Sequence, residues 1–352
     1  MRRPTPVRWS PDALAVVSSL ATELTAESAG DLLPDELAFR RALRESRGLL
    51  NFALRHKTLA VVASAAARID PSLGISQRLK QAAAAESLRC LRAAACAAQV
   101  WQLLSDAGCE PLLIKGVALS AQTTGCLDSR GVGDVDVFVP PDKLTTAVET
   151  MRLAGAHPRE SIAPQPAFAH AATVDWRETS VDIHRRLTHS PAFTPPPHRD
   201  VWLRGVEVDL GGAIVRTLHP SDAAVHIVTS SAHDSWSQLI RIADLARLLR
   251  LIAQHPGGAS TRDVARSWGA ARQWGLGLAM LRRLRTDLPR QDPLSEAIAT
   301  RTWIWLAGER QLRLSDSLRD RASRDLYRVA SGATPAYTRW WLKRSLGRLQ
   351  PR

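Results

Sequence analysis

Lys115 and Gly116, Arg130, Asp134 and Asp136, and Asp182 and His184 are polar positions set within or at the ends of short apolar runs. The runs read Leu112-Leu113-Ile114-Lys115-Gly116, Asp134-Val135-Asp136-Val137-Phe138-Val139 and Val181-Asp182-Ile183-His184. Side chains on a strand alternate faces, so Asp134 and Asp136 share one face while Val135 and Val137 take the other, towards a core. Asp182 and His184 share a face for the same reason. The Cα atoms of the Asp-x-Asp pair stand roughly 6.5 Å apart along the strand. That spacing lets the two carboxylates share one metal ion, or bracket a pair of ions about 3.5–4 Å apart. Asp182, on a neighbouring strand, would complete the site.

Three carboxylates side by side repel one another and raise one another's pKa, a conflict that a divalent cation removes. Hard oxygen donors point to Mg²⁺ or Mn²⁺. Such a site suits attack on the α-phosphorus of a nucleoside triphosphate, which needs alignment, neutralised phosphate charge and a deprotonated acceptor. Asp134, Asp136 and Asp182 are therefore the candidate catalytic residues and metal ligands, with Asp182 on the acceptor side or acting as a general base. Gly116, at a strand-to-helix junction, lets the backbone approach phosphate and offers amide donors at a helix N-terminus. Lys115 and Arg130 are the nearest candidate phosphate cations. His184 would touch the acceptor or steady a carboxylate, and a structural histidine is the alternative there.

These residues resemble a known family. Leu113-Ile114-Lys115-Gly116, Arg130-Gly131-Val132-Gly133-Asp134-Val135-Asp136-Val137-Phe138-Val139 and Val181-Asp182-Ile183-His184 look like the bacterial uncharacterised nucleotidyltransferase family, of the polymerase-β-like nucleotidyltransferase superfamily. The likeness continues more loosely through Val225-His226-Ile227, His233 and the segment Leu239–Leu245. It implies an α+β fold in which a small mixed β-sheet nucleotidyltransferase core is flanked by N-terminal and C-terminal helical regions. It also implies Mg²⁺-dependent transfer of a nucleoside monophosphate from an NTP, with Asp134, Asp136 and Asp182 on the superfamily's carboxylate triad. The acceptor it leaves open: a small molecule, a peptide or RNA. One departure stands out. The superfamily usually has Gly-Gly or Gly-Ser at the phosphate loop, whereas here Val117 follows Gly116 and the hydroxyl that helps hold the triphosphate is missing. Two other functions fit an Asp-x-Asp pair: a metal-dependent glycosyltransferase using a nucleotide sugar, and a non-catalytic nucleotide-binding module of the same fold.

The surrounding chain must position these residues. Residues 1–106 read as a helical N-terminal region, 107–219 as the nucleotidyltransferase α/β core and 220–352 as a helical C-terminal region. Within the first, the long Ala-rich segment from Gln77 to Asp106 is expected to bury Leu88, Leu91, Val100, Leu103 and Leu104. In the core, a strand at Pro111–Lys115 leads to a short helix at Val117–Thr123, and a strand at Val135–Val139 leads to a helix at Leu144–Ala154. Residues 156–175 are read as irregular, 175–184 as one strand, 188–200 as a Pro-rich loop, and 206–215 as a hairpin turning at Gly211-Gly212. Beyond it, 236–252 is amphipathic with helical period.

The 352 residues are 45% hydrophobic and 23% charged, as in an ordinary globular protein long enough for a large core. No run of eighteen apolar residues exists and no secretory h-region precedes Pro11, so the cytoplasm is the expected location. The four cysteines form no Cys-x-x-Cys pair, which argues against a disulfide framework or zinc ribbon. A net charge of +13 suits an anionic partner such as an NTP, nucleic acid or a membrane surface. The Arg-rich, Lys-poor composition of a GC-rich genome explains it equally well, so nucleic acid has no support beyond charge. The tail from Tyr337 to Arg352 carries Trp340 and Trp341 among Lys and Arg, and could lie on an anionic membrane surface or dock on the protein's own body.

Overall fold

Alternating apolar strands and small-residue helices build the part of the molecule that carries the polar motifs. The structure is a computed structural model, and it describes residues 16, 43, 48–69, 77–159, 170–190, 193–255, 259–284 and 288–307. Among the described residues there are eleven α-helices and seven strands. These residues fall into two compact units, one drawn from the described residues up to 85, Ser231–Ala246 and 272–307, the other from Glu86–Ser230 and Arg247–Ala271.

The second unit holds a mixed seven-stranded sheet of order β3-β4-β5-β2-β1-β7-β6. Its strands are β1 (Leu112–Ile114), β2 (Asp134–Phe138), β3 (His157–Pro158), β4 (Ala171–Trp176), β5 (Thr179–His184), β6 (Val206–Asp209) and β7 (Ile214–Thr217). β2 is the central strand, parallel to β5 and antiparallel to β1. The fold is thus α+β, as expected. One face of the sheet carries Leu113, Val135, Val137, Val174, Val181 and Ile183, all buried in a single core. That core is completed by Ala94, Ala97, Val100 and Leu104 of helix α3 (Gln77–Asp106) and by Ala147, Val148 and Met151 of helix α5 (Leu144–Leu153).

Three sequence expectations change here. On α3 the buried stripe runs Cys90, Ala93, Ala94, Ala97, Val100 and Leu104, while Leu88 and Leu91 are 50% and 47% exposed. Small residues let the helix approach the sheet closely, so the alanine face turns inward and those two leucines fall on the opposite arc. Residues 171–184 are a hairpin, not one strand. β4 and β5 pair antiparallel from Ala171↔His184 to Trp176↔Thr179, and Arg177 and Glu178 make the turn with φ of 48° and 63°. A two-residue hairpin turn favours positive φ at both positions and is usually signalled by Asn or Gly, which this turn lacks. The loop read at 188–200 yields at His198 to helix α6 (His198–Arg204), capped by Pro197. The 206–215 hairpin does form, as β6 and β7 joined through Gly211 and Gly212 at φ 79° and 98°.

In the first unit, α1 (Leu49–Arg55) and α2 (Leu59–Ile69) bury Phe52, Leu59 and Val62. His56 ties this pair to the start of α8 (Ile240–Gln254): Leu239 N–H donates to His56 Nδ1 at 3.3 Å and Ile240 N–H to the His56 carbonyl at 3.2 Å. The remaining helices are α4 (Gly116–Thr124), α7 (Pro220–His233), α9 (Thr261–Ser267), α10 (Ala271–Arg282) and α11 (Pro293–Ala307). No helix among the described residues is long and apolar enough to cross a membrane. The tail from Tyr337 to Arg352 lies outside the described residues.

Candidate active site

Parallel pairing of β2 with β5 sets the site. The register Asp136↔Asp182 puts these two carboxylates side by side, and Asp134↔Ser180 and Phe138↔His184 flank them. The face opposite the apolar core therefore carries Asp134, Asp136, Asp182 and His184 together. Donor atoms of Asp136, Asp182 and His184 all lie within 4.8 Å of one another. Asp134, at the first residue of β2, is partly buried and outside that group.

Asp136 is the electrostatic centre. Its side chain is 7% exposed, and Oδ1 meets His184 Nε2 at 2.8 Å and Lys115 Nζ at 3.4 Å. The repulsion expected among the carboxylates is thus already countered at Asp136 by a partly buried ammonium and a buried imidazole. Asp182 is held from the other side: Thr173 of β4, its register partner, donates Oγ1 to Asp182 Oδ1 at 2.6 Å. A row of imidazoles continues from His184, with His170 at 5.5 Å between ring centroids and His189 4.0 Å beyond that.

Lys115 reaches Asp136 by an unusual backbone. β1 ends at Ile114, which pairs with Asp136, and strand alternation would place the next residue on the Leu113 side, in the core. Instead Lys115 adopts φ 59° and ψ −153°, a region that non-glycine residues enter at a cost on the order of 1–3 kcal/mol. Gly116 follows at φ 46° and opens α4. A Cβ at Gly116 would meet nothing nearer than the Asp134 carbonyl at 3.6 Å, so its φ, and not crowding, calls for glycine. The α4 N-terminus and the Lys115 side chain are thus presented beside β2.

Arg130 lies behind this turn. It is 4% exposed, and its Nη1 donates to the Gly116 carbonyl at 3.3 Å. Its own carbonyl accepts from the Cys90 thiol at 3.2 Å. Burial pushes that thiol's pKa up, as befits a structural cysteine.

Of the residues singled out in the sequence, the structure gathers Lys115, Gly116, Asp134, Asp136, Asp182 and His184 around the central strand, with Arg130 beneath the Lys115-Gly116 turn. Thr173 was not legible, because its strand lies in a stretch read as irregular. The alternation Thr173-Val174-Asp175-Trp176 is the signal that would have found it. Two carboxylates and an imidazole this close form a donor set that fits one divalent ion with oxygen and nitrogen ligands.

Residues 44–286 match the family described as "Uncharacterised nucleotidyltransferase". The match spans more than half of the chain, and the protein belongs to this family of nucleotidyltransferases. No curated protein matches it. Among solved structures it is similar to an antigenic nucleotidyltransferase-like protein from Paracoccidioides brasiliensis, at 14% identity and a TM-score of 0.37 over 58% of this chain and 91% of that one. A likeness that weak carries no reading of the site.

Proposed function

We propose that the protein is a divalent-metal-dependent nucleotidyltransferase that moves a nucleoside monophosphate from an NTP to an acceptor that is a small molecule, a peptide or RNA. The observation that carries this reading is the register Asp136↔Asp182, which sets two carboxylates beside a helix N-terminus and a partly buried lysine. Asp136 and Asp182 would hold Mg²⁺ or Mn²⁺, with Asp134 or His184 as a further ligand; the ion would neutralise phosphate charge and ease deprotonation of the attacking hydroxyl.

The chain's own groups supply the rest. Backbone amides at the start of α4 receive phosphate oxygens, aided by the helix dipole. Lys115 adds a charge-assisted contact to the same phosphates. With Val117 in place of a hydroxyl residue, the triphosphate is held by backbone amides and Lys115 alone in this turn. Thr173 keeps Asp182 oriented towards the acceptor side, and His184 does so for Asp136.

The test is transfer itself. The full chain is incubated with each of the four α-³²P-labelled NTPs, with Mg²⁺ or Mn²⁺, and with cell extract as the acceptor source. Divalent-dependent label on a macromolecule or small molecule is the expected result. No transfer and no calorimetric binding with any of the four NTPs would overturn the reading, and binding of sugar nucleotides alone would redirect it to glycosyl transfer.

A further inference from the structure

The segment that carries Arg130 is anchored from three elements. Cys90 on α3 donates Sγ to the Arg130 carbonyl at 3.2 Å, and Arg247 on α8 donates Nη2 to the Ser129 carbonyl at 3.0 Å. Thr124 on α4 donates Oγ1 to Ser129 Oγ at 2.9 Å. From that fixed base the Arg130 guanidinium reaches the Gly116 carbonyl. The peptide it grips belongs to a turn with two consecutive positive φ values, 59° at Lys115 and 46° at Gly116. A lysine stays in such a conformation only where its surroundings over-determine it.

We infer that Arg130 is a positioning residue: by holding the Gly116 carbonyl it keeps the Lys115 backbone left-handed, and so keeps the Lys115 ammonium on the Asp136 side of the sheet. A guanidinium that is 4% exposed and bonded to a backbone carbonyl acts on the site through that carbonyl, without touching a phosphate. Arginine suits the task because its planar fork is rigid and permanently charged, whereas a lysine offers one ammonium on a flexible stem. The consequence for nucleotide affinity rests on the nucleotidyl-transfer reading above; the backbone claim does not.

The test separates the two. Leu119 N–H donates to the Lys115 carbonyl at 3.0 Å, so its amide exchange reports on the turn without any ligand. In the full chain, Arg130→Lys is expected to speed Leu119 exchange about tenfold. Lys115→Gly accepts the positive φ without strain, so the double variant Lys115→Gly/Arg130→Lys is expected to exchange within about twofold of Lys115→Gly alone. Exchange in Arg130→Lys within twofold of wild type overturns the inference, as does a double variant that exchanges as fast as Arg130→Lys. Should Arg130→Lys fail to fold, recovery of the fold by added Lys115→Gly supports the inference and no recovery overturns it. On the functional side, Arg130→Lys is expected to weaken calorimetric Mg²⁺-ATP binding about tenfold, with little further loss when combined with Lys115→Ala. A wild type that binds no NTP removes the proposed function and leaves the exchange result to decide the role of Arg130.

Discussion

At the scale of single residues, Asp136 is the position where charge, burial and pairing meet. Three like-charged carboxylates would favour loss of one of them, and Asp136→Asn would then stabilise the protein in metal-free buffer. The structure reverses that expectation. Asp136, itself buried, accepts from both Lys115 and His184, so the substitution leaves a partly buried ammonium facing a neutral amide. Asp136→Asn is expected to cost on the order of 1–3 kcal/mol in urea unfolding, and to abolish nucleotidyl transfer. A variant as stable as wild type that keeps its transfer activity would show that Asp136 serves neither purpose.

At the scale of elements, two contacts carry measurable consequences. Helix α6 begins at His198, whose buried ring lies 4.8 Å from that of Phe138 on β2. Burial pushes its pKa below the ordinary histidine value, against smaller upward pulls led by the Glu110 carboxylate. The folded state therefore keeps the imidazole neutral while the unfolded chain takes up a proton near pH 6.5. This contribution is present above about pH 6.5 and is lost as pH falls through the depressed folded value. Urea unfolding at pH 7.5 and pH 5 should show wild type losing more stability than His198→Leu; equal losses would mean that the ring titrates freely in the fold. The second contact is the β4–β5 turn, which holds the exposed Glu178 at φ 63°. Glu178→Gly relieves that conformation and should stabilise the hairpin by about 0.5–1 kcal/mol, read as a higher melting temperature. A fall instead would show that the Glu178 side chain holds the turn.

At the scale of the whole molecule, folding and ligand binding are linked. An NTP bound with its divalent ion only by the folded state raises stability by about 2.7 kcal/mol at a concentration one hundred times Kd. The expected outcome is a rise in melting temperature that requires both NTP and Mg²⁺ or Mn²⁺; an equal rise with NTP in EDTA would remove the metal from the binding step. The net charge of +13 draws any polyanion to the surface, so this comparison belongs at fixed, near-physiological salt.

The sequence by itself determined which polar residues share a strand face and most of the local elements. Strand alternation put Asp134 with Asp136 and Asp182 with His184, and Gly116 marked a strand-to-helix junction, because these are relations between near neighbours along one chain direction. Tertiary structure decided the rest. The register of β2 on β5 chose which carboxylates stand opposite, and pairing between strands some 46 residues apart leaves no trace in local periodicity. The 171–184 hairpin stayed hidden because the pairing of β4 with β5 imposes positive φ on the two turn residues Arg177 and Glu178, which have no intrinsic preference for it. The exposed Leu88 and Leu91 follow from a choice between two apolar arcs of one helix, settled only by how closely alanines let it approach the sheet. Arg130 shows the same division. Its charge and its place before the Asp-x-Asp pair are written in the sequence, but that it grips the Gly116 carbonyl depends on three elements brought together in the folded chain.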